Sequence, residues 1–350
     1  MNNENNVIDI DNIRKNILPK FFLDNADITM IKFKDTDKQR AVFKISSNNK
    51  NYCLKKVYYD ERNLLFVYSA MEWLYRNNIK VPKLLPSYDK CRYIIYEGML
   101  FILTPWVQGE KCDFDSLSDL NLSIETLAKL HKCSKDFSPI DGSEKRIGLE
   151  DYYLSVNKHF NELLENANLA FSYKDKFSKI YLKNFDNNLA LAKLSLEISS
   201  SINNNDLSIS LCHGDYVNKN ILINKSNNDV WIIDFDKCKI DYSAHDISYF
   251  LRRLLKRNTT NWNSALTVNI LNTYRKYNNL SKSDLKYILA YLAFPQKYWK
   301  ISRDYYKNID KCNKNSFISL LTKGLNHSEA QLDYINNMID IYKRYYDIKF

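Results

Sequence analysis

Apolar and polar residues alternate over residues 30–57 in three short runs, IKFK, AVFKIS and NYCLKKV, separated by the polar turns DTDKQR and SNNKN. A period of two in such short runs marks half-buried strands, and the tight spacing predicts an antiparallel meander. The period then changes. In ERNLLFVYSAMEWLYRNN, residues 61–78, Leu64, Leu65, Tyr68, Met71 and Leu74 recur at helical spacing. Pro82 sets a limit to that helix, because proline disfavours helix in the residue before it. Two more strand-like runs, CRYIIYE and MLFILTPWV, meet at Gly98, with Pro105 near the end of the second. A lobe boundary is expected there, dividing the chain into 1–103 and 104–350.

Beyond the boundary the pattern is helical. SLSDLNLSIETLAKLHKCS carries an apolar stripe at Leu120, Ile124, Leu127 and Leu130, residues 150–200 continue as long amphipathic segments, and the pattern from Asp246 onward is helical again. The interruption is residues 209–236, where ISLC precedes HGDYVNKN and the runs ILIN and VWII bracket the turn KSNND before DFD. This predicts a loop and a short hairpin inside a helical lobe. The fold class expected is α+β, with a small antiparallel sheet lobe and a larger, mostly helical one.

Composition narrows this little. The chain has 350 residues, 45% of them hydrophobic, which is enough for buried cores. Lys and Arg exceed Asp and Glu by 51 to 41, but the excess lies in short Lys/Asn-rich pieces that read as solvated surface rather than a nucleic-acid arm. The seven cysteines include no CxxC pair, and an odd number argues against a closed disulfide framework, so a reducing compartment is expected. The start MNNENNVIDIDN lacks the pattern of a secretory signal, and no apolar run reaches the ~18 residues of a membrane span. Synthesis in the cytoplasm and no membrane partner are the expectations.

The chemistry concentrates in the interruption. Asp215 and Asn220 lie in a loop between apolar runs, and Asp234 ends the strand that the hairpin folds back. Phosphoryl transfer needs a carboxylate to orient and deprotonate a hydroxyl, and oxygen ligands to hold magnesium against phosphates. Magnesium keeps several waters, so one carboxylate and one amide suffice when ATP supplies the rest. Asp236 points to the same side as Asp234 if strand geometry continues, and either adds a ligand or faces solvent. In the first lobe CLKK puts Lys55 and Lys56 on opposite strand faces; Lys55, sharing a face with Cys53, is expected inward on the phosphates and Lys56 in water. Glu61 and Glu72 are the candidate partners of Lys55.

LCHGDYVNKNIL, VWIIDFDKCK and HDISYFLRR resemble the catalytic segments of the aminoglycoside phosphotransferase and choline kinase superfamily. With YEGMLFILTPWVQGEKC, LAKLHKCS and FPQKYWKISRDYY, they resemble more closely the CotS family of bacterial spore coat proteins, over most of the chain. The resemblance implies a kinase-like, two-lobed fold binding ATP and Mg2+, with 1–103 as the nucleotide-binding lobe and 104–350 as the catalytic and substrate-binding lobe. It makes Asp215 the catalytic base, Asn220 and Asp234 the metal ligands, Lys55 the phosphate-binding lysine, and Asp246 a brace for the catalytic loop. Glu61 or Glu72 would hold Lys55, with Glu61 counted among the nucleotide-binding residues, and Thr104, Trp106 and Val107 would form the hinge that receives adenine. No glycine-rich loop separates the first strands, and Tyr68 stands where the helix glutamate is expected.

These readings imply a phosphotransferase acting on a hydroxyl of a small molecule, such as a sugar, amino sugar or amino alcohol, and residing in the spore coat. The alternative is a structural coat component that keeps the kinase-like shape without catalysis. A metallophosphoesterase also uses HGD-like strings, but the five histidines form no HxH or DxH pair. Nucleic-acid binding would rest on charge alone.

Overall fold

The computed structural model describes residues 8–34 and 40–350. The polar turn expected at 35–40 lies, except for Arg40, outside the described residues, as does the start of the chain through Val7. The chain divides into two compact units, residues 1–112, 133–147 and 218–238 forming the first, and 113–132, 148–217 and 239–350 the second.

In the first unit, helix α1 (Ile10–Asn16) precedes strands β1 (Asp27–Lys34), β2 (Arg40–Ser47) and β3 (Lys50–Lys56). Helix α2 (Glu61–Arg76) follows, then β4 (Ile94–Tyr96) and β5 (Met99–Pro105). The five strands pair antiparallel in the order β1-β2-β3-β5-β4, so the meander read from the alternation is present. Ile13, Ile17 and Phe21 pack with Phe43, Leu54, Phe101 and Leu103 of the sheet. This covered face corrects one expectation. Lys56, set in water by the alternation, is only 9% exposed, because Leu54 and Lys56 lie on a face that the N-terminal segment shields.

Helix α2 starts where the Asp60 carboxylate accepts the Asn63 N–H at 2.9 Å. It buries Phe66, Val67 and Ala70 besides Leu64, Met71 and Leu74, a wider face than the periodicity marks, because Phe137 packs edge-on against Phe66 and Trp73. The hairpin of β8 (Ile221–Asn224) and β9 (Asp229–Ile232) also belongs to this unit. It was expected among helices, yet β8 pairs with the short β6 (Glu110–Lys111) and Ile232 N–H donates to the Lys80 carbonyl.

The second unit is helical around one small ladder. Helices α3 (Leu117–Cys133, counted to Lys132), α4 (Tyr152–Tyr173), α5 (Lys176–Lys183) and α6 (Phe185–Ser200) precede β7 (Ile209–Cys212). Strand β10 (Lys239–Tyr242), which the sequence pattern did not mark, pairs antiparallel with β7. Six helices complete it: α7 (Ser243–Leu255), α8 (Ser264–Arg275), α9 (Lys282–Ala293), α10 (Gln296–Lys307), α11 (Lys314–Leu325) and α12 (Ser328–Tyr345). Tyr298 and Trp299 join the aromatic core with Phe177, Tyr181 and Tyr305. Among the described residues no helix is long and apolar enough to cross a membrane.

Candidate functional site

The first unit brings a lysine and two aspartates together across 179 and 181 positions of chain. Lys55 Nζ lies 2.7 Å from Asp234 Oδ1 and 2.6 Å from Asp236 Oδ1. Lys55 projects from β3, and the aspartates follow β9, whose end is fixed by the hairpin. Ile221 pairs with Ile232, and one rung further Ile233 N–H donates to the Asn220 carbonyl at 3.0 Å. Asn220, 4% exposed, is thereby held beside the residue that precedes Asp234.

Asp234 adopts a left-handed backbone, φ 68° and ψ 61°, which ends the strand and opens the turn Phe235–Lys237. A non-glycine residue there carries strain, of the kind that concentrates at functional sites. The turn, and not continued strand geometry, aims both carboxylates at Lys55. Burial works against the Lys55 ammonium, but the charges of Asp236 and Asp234 outweigh it and hold its pKa above the usual lysine value. Burial pushes the Cys53 thiol, two positions away, up to about 11, so it stays protonated.

Three groups that the sequence did not single out complete this centre. The Tyr59 hydroxyl donates to Asp236 Oδ1 at 3.3 Å, Arg40 Nη1 lies 3.6 Å from Asp236 Oδ2, and Arg146 Nη2 donates to the Asp236 carbonyl. Arg40 and Arg146 stand far from the DFD segment in sequence, and nothing in their local pattern marks them. Two buried atoms here have no hydrogen-bond partner, Asp236 Oδ2 and Arg146 Nη1. An orphaned acceptor and an orphaned donor in one place suit a cation and a phosphate oxygen. The carboxylates of Asp234 and Asp236 and the amide of Asn220 are hard oxygen donors, the set that magnesium takes.

The expected glutamate partner of Lys55 is not found at either position. Glu61 accepts from the Tyr93 hydroxyl, and Glu72 pairs with Arg76 at 2.9 Å. Lys55 takes the two aspartates instead. Of the hinge candidates, Thr104 is buried on β5 opposite Cys53, Trp106 N–H donates to the Asn51 carbonyl at 2.9 Å, and Val107 follows.

Asp215 lies in the second unit, 8% exposed, in the loop that follows β7. Its N–H donates to His213 Nδ1 at 3.2 Å. Asp246, in the first turn of α7, accepts the His213 N–H at 2.6 Å and the Gly214 N–H at 2.9 Å. His131 Nε2 is 3.4 Å from the same carboxylate and its Nδ1 meets the Tyr274 hydroxyl at 2.9 Å. Burial would raise the Asp246 pKa; the hydrogen bond from His131 and the charges of His131, His213 and His245 hold it down to about 2. Gly214 has φ 74°, a conformation that favours glycine, which accounts for glycine in HGD. His131, Cys212 and Asp246 cluster closely enough for a metal. However, the carboxylate is committed to backbone N–H groups, and burial pushes the Cys212 thiol well up, so the cluster is structural.

Solved structures share this fold. An aminoglycoside phosphotransferase from Alicyclobacillus acidocaldarius matches with a TM-score of 0.76 at 17% identity, covering 93% of this chain and 95% of that one. A microcompartment-associated aminopropanol kinase matches at 0.62 and 13% identity, with 95% and 98% covered. An amicoumacin kinase in complex with AMP-PNP and Ca2+ matches at 0.62 and 15%, with 95% and 96% covered. The fold is kinase-like, α+β, with a small antiparallel sheet and a larger helical region. Spore coat protein S of Bacillus subtilis is 19% identical over 323 residues, 91% of this chain and 92% of that protein, which bears out the likeness to the CotS family. The model of the phosphotransferase enzyme family matches residues 25–280, a span that includes Lys55, Asp215, Asn220, Asp234 and Asp246, and the chain belongs to that family.

Proposed function

We propose that this chain transfers the γ-phosphate of ATP to a hydroxyl of a small molecule and resides in the spore coat. The observation that carries the reading is the convergence of Lys55 on Asp234 and Asp236, with Asn220 one ladder rung away. Lys55 neutralises phosphate charge. Asn220 and Asp234 would hold Mg2+, with Asp236 beside them, and the bound ion would screen the phosphates and fix their geometry. Thr104, Trp106 and Val107 line the adenine hinge, in a nucleotide-binding lobe of residues 1–103 that precedes a catalytic lobe of 104–350. Asp215 takes the proton of the acceptor hydroxyl as its oxygen forms a bond to the γ-phosphorus. The bond from that phosphorus to the bridging oxygen breaks, and its electron pair leaves on ADP. Placement in the spore coat follows from the likeness to spore coat protein S.

Magnesium-dependent ATP turnover of the wild type, Asp215→Ala and Asp234→Ala tests the reading. Loss of about a hundredfold or more in each variant is expected; unchanged turnover in both overturns the assignment. A structural coat component is the second reading, and one observation favours it: Lys55 is already paired with one carboxylate oxygen of each aspartate in an internal ion-pair cluster. Absence of any magnesium-dependent thermal stabilisation by ATP would select it.

A further inference from the structure

We infer that the acceptor held by the helical unit is an anionic, sugar-sized molecule bearing phosphate or carboxylate groups, and not a cationic amine. This rests on the phosphotransferase reading and narrows its substrate class. The second unit contains a cavity of about 410 Å³, within the range of roughly 300–1,000 Å³ common for small-molecule sites. Six cations line it: Arg252, Arg253, Lys256, Lys297, Lys300 and Lys323. Among the described residues no aspartate or glutamate lines it, and none of the six forms an ion pair with a carboxylate. They come from three separate stretches, α7 with its C-cap, α10 and α11, so the folded chain has gathered charge that the sequence disperses.

Among the uncharged groups of the cavity, one indole is an unused donor. Trp262 lines it, is 7% exposed, and its indole N–H has no acceptor. Gln331 donates to the carbonyls of Leu292 and Ala293, and Tyr298 donates to that of Tyr181, so both amide and hydroxyl protons are spent. Arg252 lies 3.9 Å from the centre of the Tyr291 ring and donates to Gln296 Oε1 and to the Phe294 carbonyl, so cation–π contact and two neutral acceptors hold its guanidinium and no carboxylate offsets its charge. Clustered like charges cost free energy unless something of opposite sign joins them. An acceptor-rich anion meets that need, and an ammonium meets repulsion.

The cavity is tied to the catalytic loop through one helix. Asp246, which holds the N–H groups of His213 and Gly214, stands six and seven positions before Arg252 and Arg253 on α7, roughly 10 Å of helix rise. A neighbouring cavity of about 210 Å³, lined in part by Glu150 and Asp151, lies across a wall formed by Arg252, Tyr291, Phe294 and Gln296, so the carboxylates stand in a separate space from the six cations.

Titration calorimetry of the full chain without nucleotide or magnesium tests the inference, with glucose 6-phosphate, glucuronate, glucose and glucosamine as probes. Glucose 6-phosphate and glucuronate are expected to bind, the stronger of them naming phosphate or carboxylate as the recognised group, with glucose at least tenfold weaker and glucosamine weaker still. The double variant Arg253→Gln/Lys323→Gln is expected to lose about tenfold or more in anion affinity. Should that variant fail to fold, Lys300→Glu at an exposed helical position gives the same reading. Binding of glucosamine as tight as that of glucose 6-phosphate, no binding of either anion, or anion binding unchanged in the charge variants overturns the inference. Because binding is read without turnover, the two failures separate. Anion binding without any phosphotransfer removes the kinase reading alone, and turnover confined to amino sugars removes this one alone.

Discussion

Lys55 Nζ stands 2.6 Å from Asp236 Oδ1, and that aspartate is 3% exposed with its other carboxylate oxygen lacking a hydrogen bond. Removing the ammonium leaves a buried carboxylate with only the Tyr59 hydroxyl and the more distant Arg40. Lys55→Met is therefore expected to destabilise the fold by about 3 kcal/mol, as breaking a buried pair by one partner does. The double variant Lys55→Met/Asp236→Leu should recover part of that loss. Chemical denaturation of both variants measures it, and a single variant as stable as the wild type would show that the pair contributes nothing.

Asp246 makes acid stability predictable. Its folded pKa of about 2 lies below the ordinary value of 3.8, so the unfolded chain binds its proton first as pH falls. The contribution is present in full above about pH 4 and is lost as pH drops toward 2, an amount of roughly 2 kcal/mol. Asp246→Asn should flatten this part of the stability profile. It should also weaken the fold at pH 7, because an amide offers one acceptor where His213 N–H and Gly214 N–H now find two. Equal acid dependence in variant and wild type would contradict the account.

What could be read in the sequence was what local pattern encodes. The meander, α2, the HGD loop and the carboxylates after β9 each sit in a stretch whose period and turn residues announce them. Lys55 could be chosen because strand alternation separates it from Lys56. The fate of Lys56 could not, since its burial depends on α1 covering a face of the sheet from forty positions away. The partners of Lys55 were misassigned for a similar reason. The left-handed turn at Asp234 brings Asp236 round to the lysine, and no periodicity encodes a turn of that kind. Arg40, Tyr59 and Arg146, like the six cavity cations, become neighbours only through the tertiary fold.

Asp284 links a helix start to the strand that feeds the HGD loop. It completes a capping box with Ser281, and its carboxylate also accepts the Ser208 N–H at 2.9 Å and the Ser208 hydroxyl at 2.7 Å, one residue before β7. Asp284 is fully buried. Asp284→Ala is expected to cost about 4 kcal/mol, the sum of a lost cap of about 1 kcal/mol and two charge-assisted bonds to Ser208 of about 1.5 kcal/mol each. The Ser281→Ala variant, which removes only the reciprocal cap bond, should cost about 1 kcal/mol. Equal losses in the two variants, read from thermal or urea unfolding, would mean that the Ser208 contacts carry no weight.

Lys256 is expected to be a residue whose removal strengthens the empty protein. Burial lowers its pKa first, and Arg253, Lys297 and Arg252 lower it further, to about 8; Lys323 and His327 line the same cavity. Below pH 8 the lysine is charged in both folded and unfolded chains, so folding bears the whole repulsion. Between about pH 8 and 10.5 the folded chain releases the proton while the unfolded chain keeps it, and wild-type stability rises through that window. Lys256→Gln should therefore melt at a higher temperature than the wild type at pH 7, with the gap closing as pH approaches 10. Saturating glucose 6-phosphate should reduce or reverse the gap at pH 7, because the anion stabilises the charged lysine. A variant that melts lower than the wild type at pH 7 without ligand would show that Lys256 is paired in solution, and that the cavity is less cationic than its lining.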